Sequence, residues 1–173
     1  RRATSAQAGG VSSTLHSGLL ALWSGGRWRG VLVQGPSGSG KSDLALRALD
    51  LGFRLVSDDR TLVWSSDGAA FGRAPETLAG LLEVRGVGVI RVPALAFCRI
   101  DLVVASGIPE RLPDPGVVFL AGTAVPHLIL RLTDASAPHR LKEALCCLGA
   151  RPEESYQVSL PTPTASTVGE SDP

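Results

Sequence analysis

A glycine-rich segment that ends in lysine and serine is the part of this sequence with the clearest chemical meaning. Residues 35–42 read Gly-Pro-Ser-Gly-Ser-Gly-Lys-Ser and match the pattern GxxxxGK[ST]. Glycines let the backbone pass close to a phosphate group, so that successive N–H groups and the N-terminus of a following helix face its negative charge. The segment is therefore predicted to bind nucleotide phosphates through Gly35, Ser37, Gly38, Ser39, Gly40, Lys41 and Ser42.

The lysine and the final serine of this loop have separate predicted tasks. Lys41 is expected to reach the β- and γ-phosphates, and the hydroxyl of Ser42 is expected to bind Mg²⁺. Pro36 has no N–H to donate, so it must occupy a position whose amide does not bind phosphate. The alternative is a flexible Gly/Ser linker that happens to end in Lys-Ser, which would need neither a strand before it nor a helix after it.

Acidic residues downstream of the loop are candidates for binding a metal and for accepting a proton. Transfer of a phosphoryl group to a hydroxyl needs oxygen ligands for the metal and a carboxylate that takes the proton. Asp58 and Asp59 follow the alternating segment 53–57, and adjacent residues at a strand end point to different sides, so that one faces the metal and the other the acceptor. A strand-ending turn explains the pair equally well, because aspartate is common in turns.

Two further residues are weaker candidates for the same site. Glu83 is a single acid in an apolar stretch, which calls for a partner such as a metal ion or Arg85, although a surface salt bridge explains it about as well. His16 precedes the first predicted hairpin and lies within reach of the aspartate pair if the two strands are neighbours. A capping or core histidine is the simpler interpretation of that position.

The pattern around these residues predicts the elements that hold them. Apolar runs at 19–23 and 30–34, separated by Gly25-Gly26, indicate a hairpin, and apolar residues recur at helical spacing over 41–51 before Gly52. Strands are predicted at 53–57, 61–64, 99–105, 117–120 and 125–132, with a weak helix at 76–81, a glycine-punctuated apolar stretch at 82–92 and a last amphipathic helix at 141–148. This mixture predicts an α/β P-loop-containing domain with a mixed β-sheet flanked by helices.

Composition restricts the class of protein. With 173 residues, 44% of them hydrophobic, the chain is expected to form one domain over residues 15–151, with a disordered arm at 1–14 and a disordered tail at 152–173. A net charge of +1 predicts no general attraction to nucleic acid or membrane. The three cysteines form no CxxC pair, and no secretory signal or membrane-spanning segment is recognised, so a soluble cytoplasmic protein is expected.

Taken together, several segments resemble the catalytic domain of the HPr kinase/phosphorylase family, in the short form that lacks the N-terminal domain of the longer enzymes. The resemblance extends from about residue 16 to 150. It rests on His16-Ser17, the loop 35–42, Asp-Leu-Ala-Leu-Arg at 43–47, Arg-Leu-Val-Ser-Asp-Asp at 54–59, and the signature-like stretch at 82–90.

This resemblance implies an ATP- and Mg²⁺-dependent kinase that phosphorylates a serine of an HPr-like phosphocarrier protein, within a phosphotransferase system that regulates carbon or nitrogen metabolism. It implies that Asp58 accepts the serine proton, that Asp59 and Glu83 bind the metal with Ser42, that His16 hydrogen-bonds Asp58, and that Arg85 orients the site. It also implies a reverse phosphorolysis that yields pyrophosphate, and a hexameric assembly. A kinase for a small metabolite and a non-catalytic nucleotide-sensing module are the alternative functions.

Overall fold

The computed structural model describes residues 13–114 and 116–148 of the chain. The predicted tail at 152–173 lies outside these residues, and so does most of the predicted arm at 1–14. Of that arm only Ser13 and Thr14 are described, and they begin the first strand.

The described residues form three strands, an α-helix, eight further strands and a second α-helix, in that order. The strands are β1 (Ser13–Leu15), β2 (Ser17–Ser24), β3 (Arg27–Gln34), β4 (Arg54–Ser57), β5 (Thr61–Ser66), β6 (Ala69–Arg73), β7 (Leu81–Val84), β8 (Gly88–Arg91), β9 (Cys98–Ser106), β10 (Gly116–Leu120) and β11 (Thr123–Leu130). The helices are α1 (Lys41–Leu49) and α2 (Ala137–Cys147), with a 3₁₀ turn at Glu76–Leu78.

The strands form one large mixed sheet and one small hairpin. The order in the large sheet is β1-β5-β6-β9-β3-β2-β4, and β11 joins it beside β9 with β10 on its far side. The pairs β3–β9 and β9–β11 are parallel, whereas the other pairs are antiparallel. The separate hairpin is β7–β8. The predicted α/β fold with a mixed sheet is confirmed, because parallel and antiparallel pairs occur together.

Hydrophobic side chains bury both faces of the central strands. One cluster joins the helices to one face through alternate residues such as Leu20, Val31 and Val33, with Leu44 from α1 and Leu141 from α2. The side chains on the opposite face of these strands, such as Leu19 and Leu32, pack into a second cluster with residues of β5, β6, β10 and β11. The sheet therefore curls over its own second face, and both α-helices cover the first.

Local predictions agree best where the sequence signal is strong. The first hairpin and the helix after the loop are confirmed, with the helix ending at Leu49. The helix predicted at 76–81 is wrong beyond Leu78, because Gly80 has a positive φ of 73° and Leu81 already begins β7. The apolar stretch 82–92 is a hairpin, and α2 begins at Ala137 rather than 141, with a proline in its first turn. Strand β6 was not predicted.

Of the helices in the described part of the chain, none has both the length and the apolar run needed to cross a bilayer.

Candidate functional site

The glycine-rich loop connects the end of β3 to the start of α1. Gly40 occupies the N-cap position in a left-handed conformation, with φ of 95°. A Cβ atom on Gly35 would lie 2.6 Å from the Oγ of Ser39 and 2.8 Å from the Cβ of Ser106, so no larger residue fits there. The strand-loop-helix context required for phosphate binding is therefore present, and the linker alternative is wrong.

Gly40 offers a test of how strictly this loop depends on its conformation. We expect Gly40→Ala to lower the free energy of unfolding by about 1–3 kcal/mol, because a side chain is strained at this φ. The added Cβ would also lie 3.2 Å from Cγ2 of Thr133, a residue that lines the pocket described below, so nucleotide affinity is expected to fall as well. The matched control is Gly122→Ala, which has a φ of 81° and open space around the new Cβ. Chemical unfolding and nucleotide titration should show loss of stability in both variants and loss of affinity in Gly40→Ala alone; equal affinities would contradict the prediction.

The ammonium group of Lys41 lies inside the loop. It donates hydrogen bonds to the carbonyl oxygens of Gly35, at 2.8 Å, and Pro36, at 3.1 Å. It also lies 3.4 Å from Nε2 of His16. The Lys41 side chain is almost completely buried, so its positive charge lies within the curve of the loop.

Asp58 is held between the helix and the small hairpin. The hydroxyl of Ser42 donates to one of its carboxylate oxygens at 2.8 Å, and the backbone N–H of Glu83 donates to the other at 3.2 Å. Burial raises the pKa of Asp58 above its usual range, and the negative charges of Asp59 and Glu83 act in the same direction, whereas the two hydrogen bonds lower it. Ser42 and Asp58 thus bring two oxygen ligands together beside the loop.

Asp59 faces a different group. Its carboxylate lies 3.1 Å from Nδ1 of His16, and its side chain is 55% exposed. The implied hydrogen bond between His16 and Asp58 is therefore wrong, since His16 contacts Asp59 instead. The cause is the turn between β4 and β5, where Asp59 adopts a left-handed conformation with φ of 67° while Asp58 is directed at Ser42.

His16 connects the lysine to this second carboxylate. With a proton on Nδ1, the imidazole donates to Asp59 while Nε2 accepts from the Lys41 ammonium group. That neutral tautomer satisfies both contacts at once. Three residues from β1–β2, α1 and the β4–β5 turn therefore form one chain of polar contacts.

A pocket of about 420 Å³ opens beside these groups. The predicted residues that line it are Ser37, Gly38, Gly40, Lys41, Ser42, Asp59, Glu83 and Arg85. Gly35, Ser39, Asp58 and His16 are not among its lining residues, but each contacts or adjoins one that is. Asp58 therefore lies behind the wall of the pocket, whereas Asp59 faces into it.

Four residues that line the pocket were not predicted. Asp43 and Leu46 follow the loop on α1, and Val84 adjoins Glu83 on β7, so proximity in sequence was a usable signal for them. Thr133 had no such signal, because only the tertiary fold brings it to the loop.

Arg47 fixes the segment that carries Thr133. Its guanidinium group donates to the carbonyl oxygens of Leu132, at 2.6 Å, and Asp134, at 2.9 Å, and it also pairs with Asp43 on its own helix. The charged side chain is held by two carbonyls on either side of Thr133. Helix α1 thereby carries pocket residues itself and also fixes the segment that contributes Thr133.

The donors around the pocket fit a nucleotide with Mg²⁺. The N-terminus of α1 and the loop amides suit phosphate oxygens, and Ser42, Asp58 and Glu83 supply the oxygen ligands that Mg²⁺ prefers. Within the described ranges no group of three or more His, Cys, Asp or Glu side chains is arranged as a metal cage by itself. Mg²⁺ is usually bound by one or two carboxylates together with substrate phosphates and water.

The cysteines lie outside this site. Cys98 is buried on β9, and burial raises the pKa of its thiol to about 12. It is therefore protonated and unreactive at neutral pH.

Comparison with known proteins identifies relatives of this chain. The family model described as "HPr Serine kinase C-terminal domain" matches residues 12–98, which is half of the chain and includes the loop, the aspartate pair and Glu83. The HPr kinase/phosphorylase of Clostridium perfringens is 50% identical over 66 residues, covering 38% of this chain and 22% of the relative. That of Streptococcus thermophilus is 52% identical over 67 residues, with the same coverages. The match thus spans about a fifth of the length of these curated relatives.

A solved structure shares the fold over a larger part of the chain. The structure titled "Structure of the Hpr(Ser) kinase/phosphatase from Coxiella burnetii" superposes with a TM-score of 0.62 at 24% sequence identity. The match covers 76% of this chain and 99% of the other. At this identity the likeness establishes the fold.

Proposed function

The chain belongs to the HPr serine kinase C-terminal domain family, and from that premise we propose that it is an ATP- and Mg²⁺-dependent protein kinase whose acceptor is a serine of an HPr-like phosphocarrier protein. The observation that carries the proposal is the convergence of Lys41, Ser42, Asp59 and Glu83 on one pocket at the N-terminus of α1. Phosphoryl transfer depends mainly on positioning and on stabilising negative charge, and these groups supply both.

The proposed reaction joins the serine oxygen to the γ-phosphorus of ATP. The bond between the γ-phosphorus and the β–γ bridging oxygen breaks, ADP leaves, and the serine proton passes to a carboxylate of the protein. Lys41 and the loop amides bind the phosphates and oppose the charge that accumulates on the leaving oxygen. Mg²⁺, when bound, supplies further charge neutralisation of the phosphates.

We assign the proton to Asp59 and the metal to Asp58, the reverse of the roles expected from the resemblance. Asp59 lines the pocket and is half exposed, so an incoming hydroxyl has access to it. Asp58 is buried and accepts a hydrogen bond from the hydroxyl of Ser42, which is the hydroxyl assigned to the metal. Glu83 retains its expected role as a metal ligand, directly or through water.

His16 and Arg85 have supporting roles in this proposal. His16 acts as a positioning residue, because it contacts both the carboxylate of Asp59 and the ammonium group of Lys41. Arg85 is exposed at the rim of the pocket on the β7–β8 hairpin, where its charge can orient an acceptor. The exposed side chains of Val87 and Val89 lie on the same hairpin and offer the carrier an apolar contact.

The broader setting follows from the family and is also proposed. The catalytic domain comprises residues 15–151, and strand β1 adds Ser13 and Thr14 to it. The protein acts in a phosphotransferase system, also catalyses reverse phosphorolysis and assembles as a hexamer. It is located in the cytoplasm and has no nucleic-acid or membrane partners.

The decisive experiment is transfer of the γ-phosphoryl group of labelled ATP to an HPr-like carrier. We expect phosphoserine on the carrier with the intact chain, and loss of transfer by about 10²- to 10³-fold with Lys41→Ala, because the phosphate charge then lacks its cation. The control is Lys142→Ala, because Lys142 lies on α2 and does not line the pocket. Turnover of ATP with metabolites but not with any carrier would favour the metabolite kinase, and binding without turnover would favour the nucleotide sensor; either result contradicts the proposal.

A further inference from the structure

A second cavity, of about 240 Å³, lies at the end of β3 that is farther from the glycine-rich loop. Strand β9 pairs with β6 at Cys98 and Arg99 but with β11 from Val103 onward. The sheet therefore forks along β9, and residues of β3, β6, β9 and β11 line the cavity at this fork. Arg29, which lines this cavity, and Gly35, where the glycine-rich loop begins, are six residues apart along an extended strand, so their Cα atoms are about 20 Å apart.

The charge of this cavity is strongly unbalanced. Arg27, Arg29 and Arg99 line it with a single carboxylate, Asp101, so its charged residues carry a net charge of +2. The whole chain has a net charge of only +1. Positive charge is therefore concentrated here well beyond the average for the protein.

Asp101 arranges two of the arginines. Arg27 donates to both of its carboxylate oxygens, at 2.9 and 2.7 Å, and Nε of Arg99 lies 3.4 Å from the carboxylate. The Asp101 side chain is 7% exposed, whereas those of Arg27 and Arg99 are 38% and 52% exposed. The buried carboxylate is thus paired with two arginines, whose partly exposed guanidinium groups retain further N–H donors.

Arg29 is the residue that its protein neighbours leave incompletely paired. It is 8% exposed, yet among the described residues its one hydrogen bond runs from Nε to the carbonyl oxygen of Ser24, at 3.1 Å. The terminal nitrogens of its guanidinium group have no acceptor within that part of the chain. These nitrogens are not fully enclosed by the protein, so a molecule in the cavity has access to them, and an anion there would pair with the guanidinium charge and accept its unused hydrogen bonds.

We propose that this arginine cavity is a binding site for a phosphate group, either as inorganic phosphate or as the phosphoryl group of a small phosphomonoester, separate from the nucleotide pocket. Planar guanidinium forks match the oxygens of phosphate, and three arginines lining a cavity with one carboxylate leave two positive charges for a dianion. The site is independent of the proposed kinase reaction, because none of its residues lines the nucleotide pocket.

The test follows the Nε–H resonances of Arg29 and Arg99 in the full-length chain by NMR, since the nucleotide loop also binds phosphate and a bulk measurement would mix the two sites. Inorganic phosphate and glycerol 3-phosphate are titrated separately at constant ionic strength, with sodium chloride as the reference salt. We expect saturable shifts of both arginine resonances with at least one phosphate probe. Tighter binding of inorganic phosphate or of the monoester would identify which form the cavity prefers.

Two variants make the assignment specific. Arg99→Gln, at a half-exposed position, is expected to weaken binding at Arg29 by about tenfold or more, which corresponds to the loss of one hydrogen bond to a charged group. Arg29→Gln is expected to weaken binding at Arg99 similarly, and Arg111→Gln, on an exposed loop outside the cavity, should leave both titrations unchanged. Shifts that chloride reproduces, shifts confined to the nucleotide loop, or equal affinities in Arg99→Gln and Arg111→Gln would each overturn the proposal.

Discussion

Asp59→Asn is expected to reduce phosphoryl transfer to the carrier by about 10²- to 10⁴-fold while nucleotide affinity stays close to that of the intact chain. Asparagine occupies nearly the same space and still accepts a hydrogen bond from His16, but it cannot take the proton of the acceptor hydroxyl. Since Asp59 is half exposed and lies in the β4–β5 turn, the substitution should not disturb folding. The measurement is the rate of phosphoserine formation at saturating ATP and carrier.

Asp58→Asn is the matched comparison, because the two aspartates are adjacent and differ in what they contact. Asp58 accepts from Ser42 and from the backbone of Glu83, so its replacement should raise the Mg²⁺ concentration needed for half-maximal rate. Asp59→Asn should leave that concentration unchanged. If Asp58→Asn abolishes transfer at every Mg²⁺ concentration while Asp59→Asn is nearly active, the roles assigned to the two carboxylates must be exchanged.

Phe53→Ala is expected to lower the free energy of unfolding by about 3–5 kcal/mol. The phenyl ring is fully buried in the cluster that joins α1 and α2 to the sheet. Its own N–H donates to the carbonyl oxygen of Ala48 and so closes the turn that leads from α1 into β4. Truncation removes the apolar contacts of a large side chain and leaves a cavity beneath the helix that begins at Lys41.

The measurement is urea unfolding followed by tryptophan fluorescence, with the midpoint and slope fitted separately. The control is Phe119→Ala on β10, whose side chain is 74% exposed; its stability should change by no more than about 0.5 kcal/mol. A change in Phe53→Ala of less than about 1 kcal/mol would contradict the view that this cluster supports the loop helix.

Elements whose structure is determined by short-range physics are the ones that the sequence predicts correctly. Strand β3, the glycine-rich loop and α1 follow one another directly, and their residues carry strong signals of period and turn chemistry. The hairpin of β2 and β3 is local in the same sense. The elements that present Lys41 and Ser42 were therefore predictable from the sequence.

Strand β6 shows why other parts were missed. Its sequence, Ala-Ala-Phe-Gly-Arg, has little of the β-branched character that marks strands. It forms a strand because β5 and β9 pair with it on its two sides. Tertiary pairing, rather than intrinsic preference, determines its conformation.

The contacts of Asp58 and Asp59 could not be predicted from the sequence for a related reason. The direction of each carboxylate depends on the positive φ of Asp59, and aspartate is found in turns of several kinds. Thr133 and the arginine cavity depend on residues far apart in the chain, such as Arg27 and Asp101, which are 74 positions apart. No local pattern signals contacts of that range.

The parallel pairing of β3 with β9 has a consequence for biosynthesis. Gly30 pairs with Ile100, which is synthesised much later. At about 5–20 residues per second, several seconds therefore pass between the synthesis of β3 and that of its neighbour β9. During this interval the apolar edge of the nascent hairpin is open to pairing with other chains. Slowing translation between codons 34 and 106 should therefore increase the yield of aggregated protein, whereas the same delay after codon 148 should not.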